Sequence, residues 1–275
     1  MTLLLDSPTL SMIFKAAAGL MLLAFINQVQ ASCAYGTILQ PRAENGAVKG
    51  PANWVNLDPT KNSLCTHGTK QSPIDMVPGS LSLVPGRNLS ISIPDRTEGV
   101  DFENLGTTVE VVAKGGNMTF GGVQYTLQQF HFHLPSEHLD NGTSMAMEMH
   151  MVWQGPAGQI AVIGTFIDVN DAAGSASASN SALLDGVLGS VEQITRPGSK
   201  TKTGPLKMSD LVNVLSAGSF QTEGVRWLVS TQKLSIQPST FKKARSVIGF
   251  NARFLQNNVA TQKPKAPCLS LGIAG

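Results

Sequence analysis

The sequence predicts a mainly β fold. Short apolar runs recur along most of the 275 residues and are separated by turns rich in Gly and Pro, whereas helical spacing of apolar residues is confined to a few stretches. Hydrophobic residues make up 42% of the chain, which is ample for the core of one large domain. The strand pattern alone fits either an all-β or an α+β protein, and one domain is favoured over two smaller ones.

The predicted strands begin and end at turn-forming residues. Gly121-Gly122 predicts a tight hairpin, and Gly155-Pro156-Ala157-Gly158 predicts another. The run that follows the second hairpin is apolar throughout, which is typical of a strand buried on both faces. The predicted strands are 81–84, 89–93, 107–113, 117–120, 127–134, 144–153, 160–167, 226–229 and 233–236.

Helical spacing of apolar residues predicts a few short helices. One amphipathic helix is predicted within 184–194, and two more are predicted at 209–215 and 238–248. The Ala- and Ser-rich stretch 171–181 is predicted to be a surface loop.

The stretch from Gln128 to Trp153 holds four of the five histidines. Side chains alternate between the two faces of a strand, so the first strand of this stretch is expected to place four residues on one face: Leu127, Gln129, His131 and His133. The turn Asp140-Asn141-Gly142 leads into a second strand, in which Glu148 and His150 share a face. A third imidazole can therefore face the first two.

Three neutral imidazoles from neighbouring strands form a half-open tetrahedral zinc site, in which the fourth position is left for water. Such a site is catalytic rather than structural, because zinc lowers the pKa of its water to about 7 and supplies hydroxide at neutral pH. Gln129 and Glu148 each lie two residues from a predicted ligand and can accept the N–H that a ligating ring leaves free. The alternative for an isolated His-x-His, an ordinary half-buried pair, does not account for these neighbours.

Three segments carry a resemblance to a known family: Gln129-Phe130-His131-Phe132-His133, Pro135-Ser136-Glu137-His138 and Glu148-Met149-His150-Met151-Val152-Trp153. In this order and at this spacing they closely resemble the signature of the α-class carbonic anhydrases. Further segments resemble family motifs in family order and extend the similarity over nearly all of the chain after Ser32: 50–54, 71–75, 223–227 and 251–253.

The resemblance implies a zinc site and a fold. It implies that His131, His133 and His150 are the zinc ligands and that Gln129 and Glu148 are their hydrogen-bond partners. The implied fold is a single domain built on a large twisted, mostly antiparallel sheet with a few short helices.

The resemblance also implies an activity, which is the reversible hydration of carbon dioxide to bicarbonate and a proton by a zinc-bound hydroxide. It places the carboxylate of Glu137 behind the hydroxide and gives His138 a structural role. The implied apolar substrate pocket contains Val152, Val162 and Trp227.

Two segments depart from the family pattern. The family's proton-shuttle histidine falls at Thr107, whose hydroxyl does not titrate near neutral pH, so buffer or another surface group has to take the proton. Before Glu223 the family carries Ser-Leu-Thr-Thr-Pro-Pro-Cys, whereas here 218–222 run straight into Glu223. The first threonine of that segment orients the hydroxide in the family, and its cysteine pairs with the one matching Cys65. Thr222 is the candidate substitute for the threonine.

Two explanations of this gap stay open. The chain is either a truncated gene model or splice product of an active enzyme, or a natural zinc-binding relative with poor activity. The alternative function is that of a non-catalytic, secreted, zinc-binding relative of the family. The three cysteines, Cys33, Cys65 and Cys268, favour the first explanation, because one restored cysteine gives an even number in an oxidising compartment.

The N-terminus predicts a secretory signal peptide over 1–31. Lys15 precedes an apolar run, and Val29-Gln30-Ala31 offers a small-residue cleavage site. The alternative is a short membrane anchor, although the run is too short to span a bilayer comfortably. The predicted domain then covers 32–255, and 256–275 form a C-terminal tail of low order.

The charge balance favours a small-molecule substrate such as carbon dioxide or bicarbonate. Charged residues make up 14% of the chain and the formal net charge is +2, so no basic face for nucleic acid is predicted. Sequons at Asn88, Asn117 and Asn141 fit a secreted glycoprotein, extracellular or, in a bacterium, periplasmic. The sequence leaves the oligomeric state open.

Cleavage after Ala31 is directly testable. The small residues at Val29 and Ala31 fit a signal peptidase site, so secreted protein should begin at Ser32. N-terminal sequencing of secreted material checks this, and residues before Ser32 in that material would contradict it.

Overall fold

A large mixed sheet carries the histidine-rich strands in the computed structural model. The structure describes residues 59–60, 63, 71–77, 82–84, 89–170, 178–212, 217–222, 224–230 and 232–256, all within one structural unit that spans Gly36–Gly275. The predictions that lie outside the described residues concern the signal peptide, the tail beyond 256, the three cysteines, Asn88 and Glu223.

Fourteen strands occur in the described part of the chain. They are β1 (Asp75–Met76), β2 (Ser82–Val84), β3 (Ser90–Ser92), β4 (Asp101–Asn104), β5 (Val109–Val111), β6 (Asn117–Phe120), β7 (Val123–His133), β8 (Leu139–Asp140), β9 (Met147–Gln154), β10 (Ile160–Val169), β11 (Lys200–Lys202), β12 (Ala217–Thr222), β13 (Val225–Ser230) and β14 (Leu234–Ile236).

Twelve of these strands form one sheet. Its main path runs β11-β4-β5-β7-β9-β10-β13-β12-β2, while β6 joins β7, β3 joins β6, and β14 joins β10. Within this sheet only the pairs that β10 forms with β13 and β14 are parallel. β1 and β8 form a separate parallel pair. The prediction of a large, mostly antiparallel sheet is therefore confirmed.

Four helical segments accompany the sheet in the described residues: α1 (Ala178–Leu188), a 3₁₀ helix (Val191–Ile194), α2 (Ser209–Val212) and α3 (Pro238–Ile248). The last of these matches its predicted bounds, with Pro238 in the first turn, where its missing N–H costs nothing. None of the described helices is both long and apolar enough to cross a membrane.

The apolar core lies on the face of β7 and β9 that points away from the histidines. Phe130 is paired with Met151 and Phe132 with Met149, and all four side chains are fully buried. Burying one such side chain contributes roughly 1.5–3 kcal/mol, so this face anchors the two strands that carry the site. The apolar residues of α1 join the same core.

A β-bulge corrects one predicted side-chain orientation. In the β7–β9 ladder Leu127 is paired with Trp153 and Gln129 with Val152, so Gln128 is an extra residue without a partner of its own. The bulge interrupts the alternation, and Leu127 lies on the core face instead of sharing the face of the histidines as predicted.

Some other predicted elements also differ from the structure. The prediction of a loop over 171–181 is wrong at its C-terminal end, because α1 already begins at Ala178. The single helix predicted within 184–194 is instead two helices, the end of α1 and the 3₁₀ helix. Strands β4, β11 and β12 were not predicted. β4 and β11 are short and polar, and they pair with each other at one end of the main path of the sheet.

A row of ionisable side chains leads from that end of the sheet to the histidines. Lys200 is paired with Glu103, Glu103 with Glu110, and Glu110 with His131. Lys200 Nζ lies 2.8 Å from Glu103 Oε1. Burial and, to a lesser extent, the charge of Glu103 raise the pKa of the Glu110 carboxyl from 4.5 to about 7.

Replacing Glu110 should change how stability depends on pH. The raised pKa means that the folded protein binds more protons than the unfolded chain between pH 4.5 and about 7, so its stability falls as the pH rises through this window. Glu110→Gln removes this loss, and above the window the variant should be more stable than the wild type by about 1–3 kcal/mol. Chemical denaturation in chelator, below and above the window, measures the difference.

Glu98→Gln is the matched control, because it removes an exposed carboxylate outside the row. It should not reproduce the pH-dependent gain. If the stability of Glu110→Gln instead changed with pH in parallel with that of the wild type across the window, the fold would not hold Glu110 in its protonated form.

Candidate metal centre

Three histidines converge on one face of β7 and β9. His131 is paired with His150, and His133 lies two residues further along the same face of β7. One ring nitrogen of each lies within 4.8 Å of the others, and the three ring centroids are 4.6–5.3 Å apart. All three side chains are buried. The structure thus brings together the three imidazoles that the sequence pointed to.

The hydrogen bonds around the rings define which nitrogen carries the proton. His131 Nδ1 lies 2.9 Å from Gln129 Oε1, and His150 Nε2 lies 2.9 Å from Glu148 Oε1. His133 Nδ1 lies 3.3 Å from the main-chain oxygen of Asn251, which can only accept. Because each of these nitrogens donates to an oxygen, the lone pairs belong to Nε2 of His131, Nε2 of His133 and Nδ1 of His150.

Burial keeps two of the imidazoles neutral. It holds the pKa of His131 well below its ordinary value, and the neighbouring His133 and His150 lower it further. Burial also lowers the pKa of His133, against the opposing charge of Glu137. His131 Nε2 is fully buried and has no hydrogen-bond partner in the described part of the chain. Zinc is bound by the lone pairs of neutral imidazoles. Three such rings, each neutral or able to lose its extra proton and each held on a strand, fit a zinc ion.

The carboxylate of Glu148 is the hydrogen-bond hub behind the rings. Its side chain is 0% exposed. Oε1 accepts from His150 Nε2 and from His138 Nδ1 at 2.7 Å, and Oε2 accepts from the main-chain N–H groups of Glu137 and His138. Burial alone would raise the pKa of Glu148, but the two imidazoles outweigh it and hold the pKa well below its ordinary value. In turn the Glu148 charge raises the pKa of His150 despite its burial.

His138, Glu148 and His150 also place donor atoms within 4.8 Å of one another. This second group is a hydrogen-bonded cluster, because the ring nitrogens that face the carboxylate already donate to it. Its geometry agrees with the structural role that the resemblance implied for His138.

A glycine makes room for the hub. Gly164 of β10 is paired with His150, and a Cβ at Gly164 would lie 2.8 Å from Glu148 Oε1 and 3.7 Å from His150 Cδ2. Because the carboxylate is tethered by four donors, it has little freedom to move aside. The absence of a side chain at this position therefore belongs to the site.

Glu137 lies beside two of the rings. Its Oε1 is 3.4 Å from His133 Nδ1 and accepts a hydrogen bond from the main-chain N–H of Arg253 at 2.9 Å, while its Oε2 is 4.0 Å from His150 Nδ1. Glu137 is buried, so the structure places this carboxylate next to the side of the cluster where the lone pair of His150 points.

Asn251 is a site residue that sequence reasoning did not identify. Its main-chain oxygen faces His133, and its side chain donates to the carbonyls of Thr107 and Phe132 and accepts from the N–H of Leu134. The segment 251–253 resembled a family motif, but a main-chain carbonyl has no side-chain signature from which its role could be predicted.

An apolar row borders the histidines. Val152 is paired with Val162, and Val162 with Trp227, so these side chains lie across β9, β10 and β13 on the face that carries His150. The Trp227 ring is 5.0 Å from the His150 ring. All three are almost completely buried. The three residues predicted for the substrate pocket therefore lie together beside the ring of His150.

The segment expected to be missing before Glu223 would fall between β12 and β13. Thr222 is paired with Val225, so residues 223 and 224 alone join the two strands, and Gly224 has a φ of 73°. The side chain of Thr222 lies outside the described part. On the other side of the cluster, Thr107 stands in the loop before β5, and its carbonyl binds Asn251.

Comparison with known proteins gives a consistent answer. Residues 49–266 match the family model described as eukaryotic-type carbonic anhydrase. Alpha carbonic anhydrase 6 of Arabidopsis thaliana is 35% identical over 123 residues, which cover 45% of this chain and 47% of that protein. The chain thus spans about half the length of this relative. A carbonic anhydrase of Nostoc sp. is 27% identical over 226 residues, covering 75% and 79% of the two chains.

Solved structures extend the likeness to the fold. The fungal alpha carbonic anhydrase of Aspergillus oryzae superimposes with a TM-score of 0.70 at 32% identity, over 80% of this chain and 94% of that one. The alpha carbonic anhydrase of Thermovibrio ammonificans, solved with sulfanilamide, gives a TM-score of 0.62 at 27% identity, over 82% and 96%. The chain therefore belongs to the eukaryotic-type, or α, carbonic anhydrase family.

Proposed function

We propose that this chain catalyses the reversible hydration of carbon dioxide to bicarbonate and a proton, with zinc held by His131, His133 and His150. The observation that carries the proposal is the convergence of three imidazole nitrogens whose lone pairs are fixed by Gln129, Glu148 and the Asn251 carbonyl. Zinc, when bound, supplies a Lewis acid that lowers the pKa of water and so provides hydroxide at neutral pH.

Other residues of the chain bind the substrate and orient the attacking group in this proposal. The row of Val152, Val162 and Trp227 presents two aliphatic side chains and an aromatic ring beside His150, so it favours a linear, non-polar molecule. The buried carboxylate of Glu137 lies next to the lone pair of His150, where it can accept a hydrogen bond from the attacking group directly or through a hydroxyl. Esterase side activity is expected from the same nucleophile.

Proton release follows a different route from that of family members with a shuttle histidine. Thr107 stands at the corresponding position, and a hydroxyl cannot carry a proton away near neutral pH. Buffer molecules or another surface group take the proton in this proposal.

We further propose that the protein is secreted, or periplasmic in a bacterium, and glycosylated in a eukaryotic host. The support is the signal-like N-terminus and the sequons of the sequence. Of the described sequon asparagines, both Asn117 and Asn141 are exposed, as a glycan requires.

The tight connection between β12 and β13 supports a lowered activity for the chain as it stands. The family's threonine in the missing segment aims the nucleophile at carbon dioxide, and losing an orienting group of this kind costs on the order of 10² to 10³ in rate. The same observation favours a second candidate function, a non-catalytic secreted protein that binds zinc through the three histidines.

Zinc binding should depend on the three imidazoles. We expect about one zinc per chain, loss of most of it in His150→Ala, and a 10- to 100-fold weaker affinity in Glu148→Gln, because the latter loosens the His150 ring without removing the ligand. Zinc content of purified protein and competition with a chromogenic chelator measure both effects.

His67→Ala is the control, because it removes a histidine that the sequence does not assign to the zinc site and should leave the zinc content unchanged. Folded protein without zinc, or zinc that survives His150→Ala, would refute the site. Circular dichroism of each variant separates loss of the ligand from loss of the fold.

Restoring Ser-Leu-Thr-Thr-Pro-Pro-Cys before Glu223 should separate zinc binding from catalysis. The restored protein should bind zinc as the original does, hydrate carbon dioxide on the order of 10² to 10³ faster, and form a disulfide through Cys65. Stopped-flow hydration assays and thiol titration measure the two gains.

The matched control carries the same insertion with both threonines replaced by valine, so that the length and the cysteine are restored without the hydroxyls. It should regain the disulfide but not the rate. Full activity in the original chain would show that Thr222 or another group already orients the nucleophile and would contradict the proposed impairment.

A further inference from the structure

The segment between β8 and β9 contains a two-residue turn whose tip is Asn141-Gly142. Asp140 and Thr143 exchange both main-chain hydrogen bonds, at 2.9 and 3.0 Å. Asn141 has a φ of 49° and Gly142 a φ of 80°, the two positive values of a type I′ turn, for which Asn-Gly is the favoured pair. The turn is therefore closed by main-chain hydrogen bonds between its own residues.

The tip of this turn is open to solvent. Asn141, Gly142 and Thr143 are all exposed, and a Cβ built at Gly142 would meet no atom within 4 Å. On one side, the N–H of Gly142 binds Asp75 Oδ1 at 2.9 Å and the N–H of Asn141 binds the carbonyl of Met76 at 3.2 Å. The side-chain amide of Asn141 makes no hydrogen bond within the described residues. A bulky group can be attached there without displacing anything.

The other described sequon lies in a different setting. Asn117 begins β6, where it is paired with Ser92 of β3 on one side and with Thr126 of β7 on the other. Its side chain is exposed, but its backbone belongs to a strand enclosed by two ladders. An enzyme that acts on the folded chain and binds the acceptor backbone in its own cleft can reach an exposed turn, whereas it has to unpair β6 on both sides to reach Asn117.

We propose that Asn141 is an N-glycosylation site and that it is occupied in preference to Asn117. In this step the Nδ2 atom of Asn141 forms a bond to the anomeric carbon of an oligosaccharide carried on a polyprenyl pyrophosphate. The bond from that carbon to the pyrophosphate oxygen breaks, the lipid pyrophosphate leaves, and Nδ2 loses one proton. Thr143 supplies the hydroxyl that the Asn-x-Thr motif requires. The inference rests on the proposed secretory route.

Expression of the full chain in a eukaryotic secretory host tests the assignment. Secreted protein is treated with a peptide N-glycosidase, which leaves aspartate at an occupied position, and peptide mass spectrometry then identifies that position. We expect conversion at Asn141, and loss of the corresponding glycosidase-sensitive mobility shift in Asn141→Asp and in Thr143→Ala. Both variants preserve the turn, because Asp tolerates a positive φ and Thr143 contributes to the turn only through its main chain.

Asn117→Asp is the matched control and should leave the mobility shift of the wild type unchanged. An unmodified Asn141 peptide in secreted wild-type protein, or a shift lost only in Asn117→Asp, would overturn the proposal. A version of the chain with an established secretory leader before Ser32 tests the glycosylation site separately from the proposed native secretion signal. If only this version is secreted and it carries a glycan at Asn141, the native targeting fails and the glycosylation site stands.

Discussion

The candidate centre depends on one buried charge, the carboxylate of Glu148. Removing a carboxylate from water costs several kcal/mol, and the protein offsets this cost with four donors, two from imidazole rings and two from main-chain N–H groups. These donors come from β9 and from the segment that follows β7, so the carboxylate fixes the positions of His150, His138 and Glu137 at once. Gly164 leaves the space that this arrangement needs. If the hub were neutralised, a buried acceptor and two ring orientations would be lost together.

The sequence predicts the structure best where the two-residue period of a strand decides which face a side chain lies on. The faces of His131, His133 and His150 follow from simple alternation, and the ladder then brings them together. Alternation failed at Leu127, because the bulge at Gln128 adds one residue and nothing in the local composition marks it. Strands such as β11 owe their conformation to a partner rather than to their own side chains. The Asn251 carbonyl escaped prediction because every residue has a main-chain oxygen.

In the proposed reaction, binding the metal and orienting the nucleophile are tasks of different parts of this fold. The three rings and their partners lie on β7, β9 and the segment around Asn251, whereas the proposed loss of the orienting threonine concerns the connection between β12 and β13. Because the connection between β12 and β13 takes no part in the ladder between β7 and β9, one can be altered while the other persists. The proposed loss of rate therefore does not require loss of the three-histidine cluster, and the similarity of the whole fold to that of its relatives does not by itself fix the rate.

The hydrogen bonds made by residues 251–256 also determine when the site can form during synthesis of the chain. Asn251 orients His133 across 118 positions of sequence, Arg253 binds Glu137, and Gln256 binds the carbonyl of Pro73. At a synthesis rate of 5–20 residues per second, the ribosome delivers Asn251 roughly 6 to 24 seconds after His133. Throughout that interval the carbonyl of Asn251 is not available to the ring of His133, so the nascent protein cannot present the finished set of imidazoles. In the proposed zinc site, metal acquisition therefore waits until the segment around Asn251 has been synthesised.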